Sequence, residues 1–273
     1  MASLSEKINQ TAAYIRQRYD RIPDAGIVLG SGLGNLVQEI KTDLELPYDE
    51  IPNFPVSTVE GHHGKLIFGR IGERQVVCMA GRFHFYEGYS ATEVGFPIRV
   101  MQALGVQKLF ISNAAGGVNP SFAVGDIMII TDHISFFAPN PLLGKNDDQL
   151  GARFPDMSEP YKKELIGKAE AIASRLGIPV KKGVYCGVTG PTFETRAEYK
   201  LIHLLGGDAV GMSTVQEVIT AVHAGMDVFA MSVITDIGIR AEENTITHEE
   251  VLAAAKAAEP RFTAIFREMV LSL

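Results

Sequence analysis

The chain has 273 residues, 46% hydrophobic and 21% charged, a composition that belongs to a folded globular protein and excludes intrinsic disorder. Its 25 Lys and Arg against 32 Asp and Glu leave a net charge of −7, a poor footprint for nucleic acid or anionic lipid. Small anions remain open, because one local cluster of cationic groups and backbone N–H donors can hold a phosphate on an acidic protein.

In chain order, apolar residues from Leu4 through Ile8, Ala12 and Ile15 recur at helical spacing, so an amphipathic helix opens the chain, and Pro23 is expected to end it. Strand-like runs follow at Gly26 to Leu29, Lys65 to Phe68, Val76 to Ala80, Lys108 to Ser112, Asp126 to Thr131, Val184 to Val188, Asp208 to Met212 and Val228 to Thr235. Helical patterns cover Leu36 to Ile40, Ala91 to Leu104, Lys162 to Leu176, Arg196 to Leu205, Thr214 to Ala224 and His248 to Leu273. The strands read as continuous rather than alternating hydrophobic runs. They are therefore covered on both faces, which predicts an α/β protein with a mostly parallel or mixed sheet inside helices. Neither a repeat nor a Gly/Ser/Pro-rich linker divides the chain, so one domain over residues 1–273 is expected; Pro139 to Asp156 reads as a long polar loop of the kind that carries function. Cys78 and Cys186 lie in apolar runs without metal-ligand spacing and read as buried reduced thiols of a cytoplasmic enzyme. No run reaches the roughly 18 apolar residues of a membrane span, and Glu6, Lys7 and Arg16 interrupt the pattern of a secretion signal.

Chemistry concentrates at strand ends. The first strand runs into Gly30-Ser31-Gly32-Leu33-Gly34-Asn35 and then a helical pattern, an arrangement that can seat an anion on backbone N–H groups. Asn35 stands where a dinucleotide fingerprint needs Gly or Ala, and no Walker-type Gly-Lys-Ser/Thr follows, which leaves a tight turn or a phosphate site with Ser31 as its hydroxyl. Gly61-His62-His63-Gly64 and the stretch from Gly81 to Gly88 place His62, Arg82 and His84 between glycines. Such groups suit an oxyanion, while structural histidines or a metal site are the alternatives, the latter without Asp, Glu or Cys at ligand spacing. Asn113 to Gly117 reads as a second small-residue turn after a strand, at the edge where α/β sheets gather ligands. Ser213 precedes a helix that Thr214 and Glu217 would start as a capping box; Thr247 and Glu250 repeat the box and put His248 in the first turn of the closing helix.

These motifs, together with Val59-Glu60-Gly61-His62, Gly190-Pro191-Thr192-Phe193-Glu194-Thr195 and Val210-Gly211-Met212-Ser213-Thr214-Val215, resemble in order and spacing those of the trimeric purine nucleoside phosphorylases over nearly the whole chain. The resemblance implies a single α/β domain with a central, mixed, partly barrel-like sheet flanked by helices, and a homotrimer. It implies a pentosyltransferase that converts a purine ribo- or deoxyribonucleoside and phosphate reversibly into free purine and the sugar 1-phosphate in purine salvage. No metal or organic cofactor is implied, phosphate being a co-substrate. By the same resemblance Ser31, Arg82, His84, the backbone N–H of Ala114 and Ser213 would hold phosphate, with His62 nearby. Tyr86 and Met212 would line the ribose and His248 meet its 5′-hydroxyl. Phe193 and Glu194 would hold the purine, and Phe154 would close a neighbouring subunit's pocket. His84, Glu194 and Asp236 would carry the catalysis.

Asp236 stands where the family usually has Asn. An ionised Asp can only accept, which favours a 6-amino group, whereas a protonated one can donate to N7. Glu194 accepts from N1–H of a 6-oxopurine, so the two residues pull in different directions and the balance favours inosine and guanosine. Methylthioadenosine phosphorylases, the sister family, have Asp there but Ser in place of Glu194. A noncatalytic purine-binding module and a dehydrogenase are the readings outside this class.

Overall fold

The computed structural model describes residues 2–56, 64–239 and 247–273. Four helices begin where a Ser or Thr cap and a Glu three residues on satisfy each other's backbone donors: α1 (Leu4–Arg16, Ser3 and Glu6), α2 (Ala91–Ala103, Ser90 and Glu93), α4 (Arg196–Leu204, Thr195 and Glu198) and α6 (His248–Leu271, Thr247 and Glu250). α3 (Lys163–Leu176) ends on Gly177 in the left-handed region, and α5 (Val215–His223) follows Thr214. α1 stops at Arg16, well ahead of Pro23, and Gly34–Glu39 forms a short 3₁₀ turn instead of the expected helix.

The strands are β1 (Ala25–Val28), β2 (Lys41–Pro47), β3 (Lys65–Ile71), β4 (Arg74–Ala80), β5 (Lys108–Gly117), β6 (Ile127–Phe137), β7 (Lys181–Val188), β8 (Ala209–Gly211) and β9 (Asp227–Ile237). They form one mixed sheet in the order β2-β3-β4-β1-β5-β8-β7-β6-β9, and β5 also pairs with β9, so five strands close into a barrel from which β1, β4, β3 and β2 extend as an open wing. Parallel pairs such as β1–β5 and β5–β9 adjoin antiparallel ones such as β3–β4 and β6–β9. Buried apolar residues from the sheet and from α1, α2, α3, α5 and α6 join in the main core, with Phe110, Phe229, Phe262 and Phe266 fully enclosed, while α4 packs Tyr199 and Ile202 into a smaller cluster with Val118, Cys186 and Val210.

Two features differ from the sequence reading. β2 is polar along most of its length and is found only because it pairs with β3 at the edge of the wing, where charged side chains face solvent. Asn113 to Gly117 is no turn: β5 continues through it, paired with β9 across a register shift between Ala115 and Gly116. The loop from Pro139 to Asp156 lies between β6 and α3 without regular structure, and Cys78 and Cys186 are free and buried. Among the described residues no helix is long and apolar enough to cross a membrane.

Candidate active site

Strand ends build the site. The turn after β1 brings Gly30 and Ser31, β5 brings Ala114 and Gly116, the end of β9 brings Thr235 and Asp236, and the segment after β8 brings Met212 and Ser213. Together with Arg82, His84 and Tyr86 after β4, Phe193 and Glu194 ahead of α4, and His248 at the start of α6, they line one open cleft. All the sequence-derived candidates among the described residues meet there except Phe154, which stands 87% exposed in the long loop. His62 falls outside the described residues.

One end of the cleft is cationic. Arg82 is 1% exposed; its Nη1 donates to Ser213 Oγ at 3.0 Å and its Nε lies 3.3 Å from Glu217 Oε1. Burial pushes the Glu217 carboxyl up and the Arg82 guanidinium pulls it back only in part. Glu217 is the buried partner of Arg82 and also accepts from the Thr214 backbone, but the Thr214 side chain makes no capping bond, and the residue's φ of 74° is a conformation that a β-branched residue rarely adopts. Tertiary bonds hold it there, since Asn113 Nδ2 donates to Thr214 Oγ1 at 2.9 Å and Thr214 Oγ1 lies 3.1 Å from Ser213 Oγ.

His84 sits between Arg82 and Tyr86. Its backbone N–H and its Nδ1 both reach Glu87 Oε1 at 2.8 Å, and its ring stacks on Tyr86 at 4.6 Å. Burial lowers the His84 pKa more than Glu87 raises it, so the ring is neutral near pH 7; with Nδ1–H given to Glu87, Nε2 is the acceptor. Burial also pushes the Tyr86 hydroxyl up to about 12. The glycine turn is fixed at its start: Gly30 N–H donates to Ser112 Oγ at 2.9 Å, and a Cβ on Gly30 would lie 2.8 Å from Asn113 Cα, which only glycine tolerates.

The opposite end carries two carboxyls. Burial raises the Glu194 pKa, and the charge of Asp236 adds to the rise while the hydroxyl of Tyr199 offsets part of it. Asp236 is 7% exposed, and its Oδ1 accepts from Thr235 Oγ1 at 3.0 Å. Gly116 makes room for it, because a Cβ there would stand 2.9 Å from Asp236 Oδ2. Phe193 is 42% exposed at the rim. Among the described residues no three His, Cys, Asp or Glu side chains gather as a metal site.

Sequence reasoning missed Glu217, Asn113 and Tyr199. A usable signal existed for the first, since Glu217 is the one charged residue in the Val215–Ala221 run, and a charge on a helix that is buried on all sides needs a buried partner.

The family model of the phosphorylase superfamily matches residues 24–271. A purine nucleoside phosphorylase of Bacillus subtilis is 50% identical over 98% of this chain and 98% of its own, and that of Mus musculus is 47% identical over 97% and 95%. A Schistosoma purine nucleoside phosphorylase solved in complex with hypoxanthine superposes with a TM-score of 0.94 at 40% identity, covering 100% of this chain and 99% of that one. A Schistosoma mansoni homologue solved with adenosine gives 0.93 at 41% identity over 98% and 97%. A match over nearly the whole length, on the strand ends that form the cleft, means that the chain belongs to the phosphorylase superfamily, among its purine nucleoside phosphorylases.

Proposed function

We propose that this chain catalyses the reversible phosphorolysis of purine nucleosides, with inosine and guanosine preferred, as a cytoplasmic homotrimer folded as one domain over residues 1–273. The observation that carries the reading is the lining of one cleft, which unites Arg82, Ser31, Ser213 and His84, suited to an anion, with the carboxyls of Glu194 and Asp236 and with Tyr86 and Met212. Breaking the N-glycosidic bond leaves positive charge on the ribosyl ring and electrons on the purine, so catalysis needs an anion beneath the sugar and a proton-holding group at the base.

Phosphate meets the first need and is also the nucleophile. Arg82 carries its charge, Ser31, Ser213 and the backbone N–H of Ala114 donate to it, and neutral His84, through Nε2, accepts the O–H of hydrogen phosphate. His62 belongs near the same anion. Tyr86, Met212 and His248 orient the ribose. At the base, Glu194 accepts from N1–H, Phe193 stacks, and Asp236 donates to N7 when protonated. Burial raises the Glu194 pKa and the charge of Asp236 adds to the rise, so the two carboxyls act on the same site. Phe154, exposed on its own subunit, closes the pocket of a neighbour.

Ionised Asp236 would face an exocyclic amine instead, which favours adenosine as a second substrate. Incubation with inosine and phosphate should release hypoxanthine and ribose 1-phosphate and give no release without phosphate; phosphate-independent hydrolysis would overturn the reading.

A further inference from the structure

Asn35, which fits no nucleotide-binding fingerprint, has a partner at the far end of the chain. Its backbone N–H donates to Glu259 Oε1 and its Nδ2 to Glu259 Oε2, each at 2.6 Å. Gln38 Nε2 lies 3.3 Å from Asn35 Oδ1, which orients the amide so that its nitrogen faces the acid. Glu259 is only 3% exposed and sits within α6 just ahead of Pro260. A carboxylate is costly at such a position unless several donors reach it, and the two bonds from Asn35 offset part of that cost, burial still pushing the Glu259 carboxyl up.

The contact locates more than itself. Gly32, at φ 73°, lies so close to α6 that a Cβ would stand 2.7 Å from Ala255 Cβ. The turn is thus tied to Ser112 at Gly30 and to α6 at Asn35, with Ser31 between the two ties. The same helix begins with His248 and sends Val251 to the cleft, so one rigid element fixes both walls.

The geometry points to Asn35 and Glu259 as a positioning pair that seats the Ser31 turn on α6 and so sets the affinity for phosphate. This rests on Ser31 being a phosphate ligand, as proposed above. Neither residue touches the cleft, so the effect must pass through the position of the turn.

The test uses the intact chain and inorganic phosphate. Asn35→Asp places a second carboxylate against Glu259 and should raise the phosphate KM about tenfold, with the nucleoside KM within about twofold of the parent's. Combined with Glu259→Gln, the exchange restores the pattern in reverse: the new amide donates to the new carboxylate and accepts from the backbone N–H at position 35. The double variant should return the phosphate KM to within about threefold of the parent's. An unchanged phosphate KM in Asn35→Asp, or a raised one that the double variant does not recover, overturns the proposal. If Asn35→Asp does not fold, Asn35→Ala keeps the backbone bond and adds no charge; it should raise the phosphate KM about threefold, and no change there is equally fatal. A parent chain without phosphorolysis would count against the proposed function alone. Calorimetric titration of phosphate into parent and variants would then still read the pair, with weaker binding in the variants expected and equal binding overturning it.

Discussion

At the Arg82 end of the cleft the polar side chains are buried and tied to one another, Arg82 to Ser213 and Glu217, Thr214 to Asn113, His84 to Glu87. At the Phe193 end the elements are a loop ahead of α4, an aromatic ring 42% exposed, and two carboxyls that burden each other. The first end is a preorganised anion seat whose members are over-determined by tertiary bonds, so chemical change there should cost both folding and turnover. The second is built on a loop with an exposed ring at its rim, so substitution there should redirect the choice of base at little cost in stability.

The sharpest way to break this contrast is Arg82→Met, which should lower kcat/KM for phosphate about a thousandfold and destabilise the fold by roughly 3–5 kcal/mol, because Glu217 stays buried without its cation. Adding Glu217→Met should recover most of the stability, read by denaturant unfolding, and none of the activity. If activity returned with stability, Arg82 would be structural only.

Asp236→Asn should raise the inosine-to-adenosine ratio of kcat/KM by about one to three orders of magnitude while leaving the unfolding midpoint nearly unchanged. An unaltered ratio in side-by-side initial rates would mean that Asp236 does not read the base.

Phe154→Ala should lower kcat/KM for the nucleoside about tenfold with the phosphate KM unmoved, since only the rim of a neighbour's pocket is affected. Full activity in a species that sediments as a monomer would remove Phe154 from the site.

The smallest effect concerns stability and pH. Burial holds the His84 pKa below its ordinary value of 6.5, so as pH falls the unfolded chain takes up a proton before the folded chain does, and stability drops. The drop begins near the ordinary value and persists down to the lowered one. His84→Gln should flatten this slope by up to about 1.4 kcal/mol per pH unit in unfolding midpoints taken between about pH 7 and 5, with the contributions of His133 and His223, also lowered by burial, left in place. An identical slope in parent and variant would show that His84 is not buried as a neutral ring.

Most of the frame was legible because its signals are local. The capping box at Thr247 closes between residues three apart, and α6 starts where it says. The candidate residues could be named for the same reason, each standing beside a glycine or at the end of an apolar run. The α5 box is only half formed: Glu217 accepts from the Thr214 backbone and pairs with Arg82, but the Thr214 hydroxyl meets Asn113 and Ser213 instead of capping the helix.

What the sequence alone determined, then, was the order of the α-helices and of every strand but β2, most helix starts and the inventory of chemical groups, since each depends on propensities and bonds within a few residues. Only the tertiary structure decided that Asn113 to Gly117 extends a strand, that Thr214 takes a positive φ and that the barrel closes through β5 and β9. The same is true of the pairings that shape the cleft: Asn113 with Thr214 spans 101 residues, Arg82 with Ser213 131, and Asn35 with Glu259 224. No local pattern specifies such partners, because each bond forms only after closure of the sheet has met the entropy of bringing distant segments together.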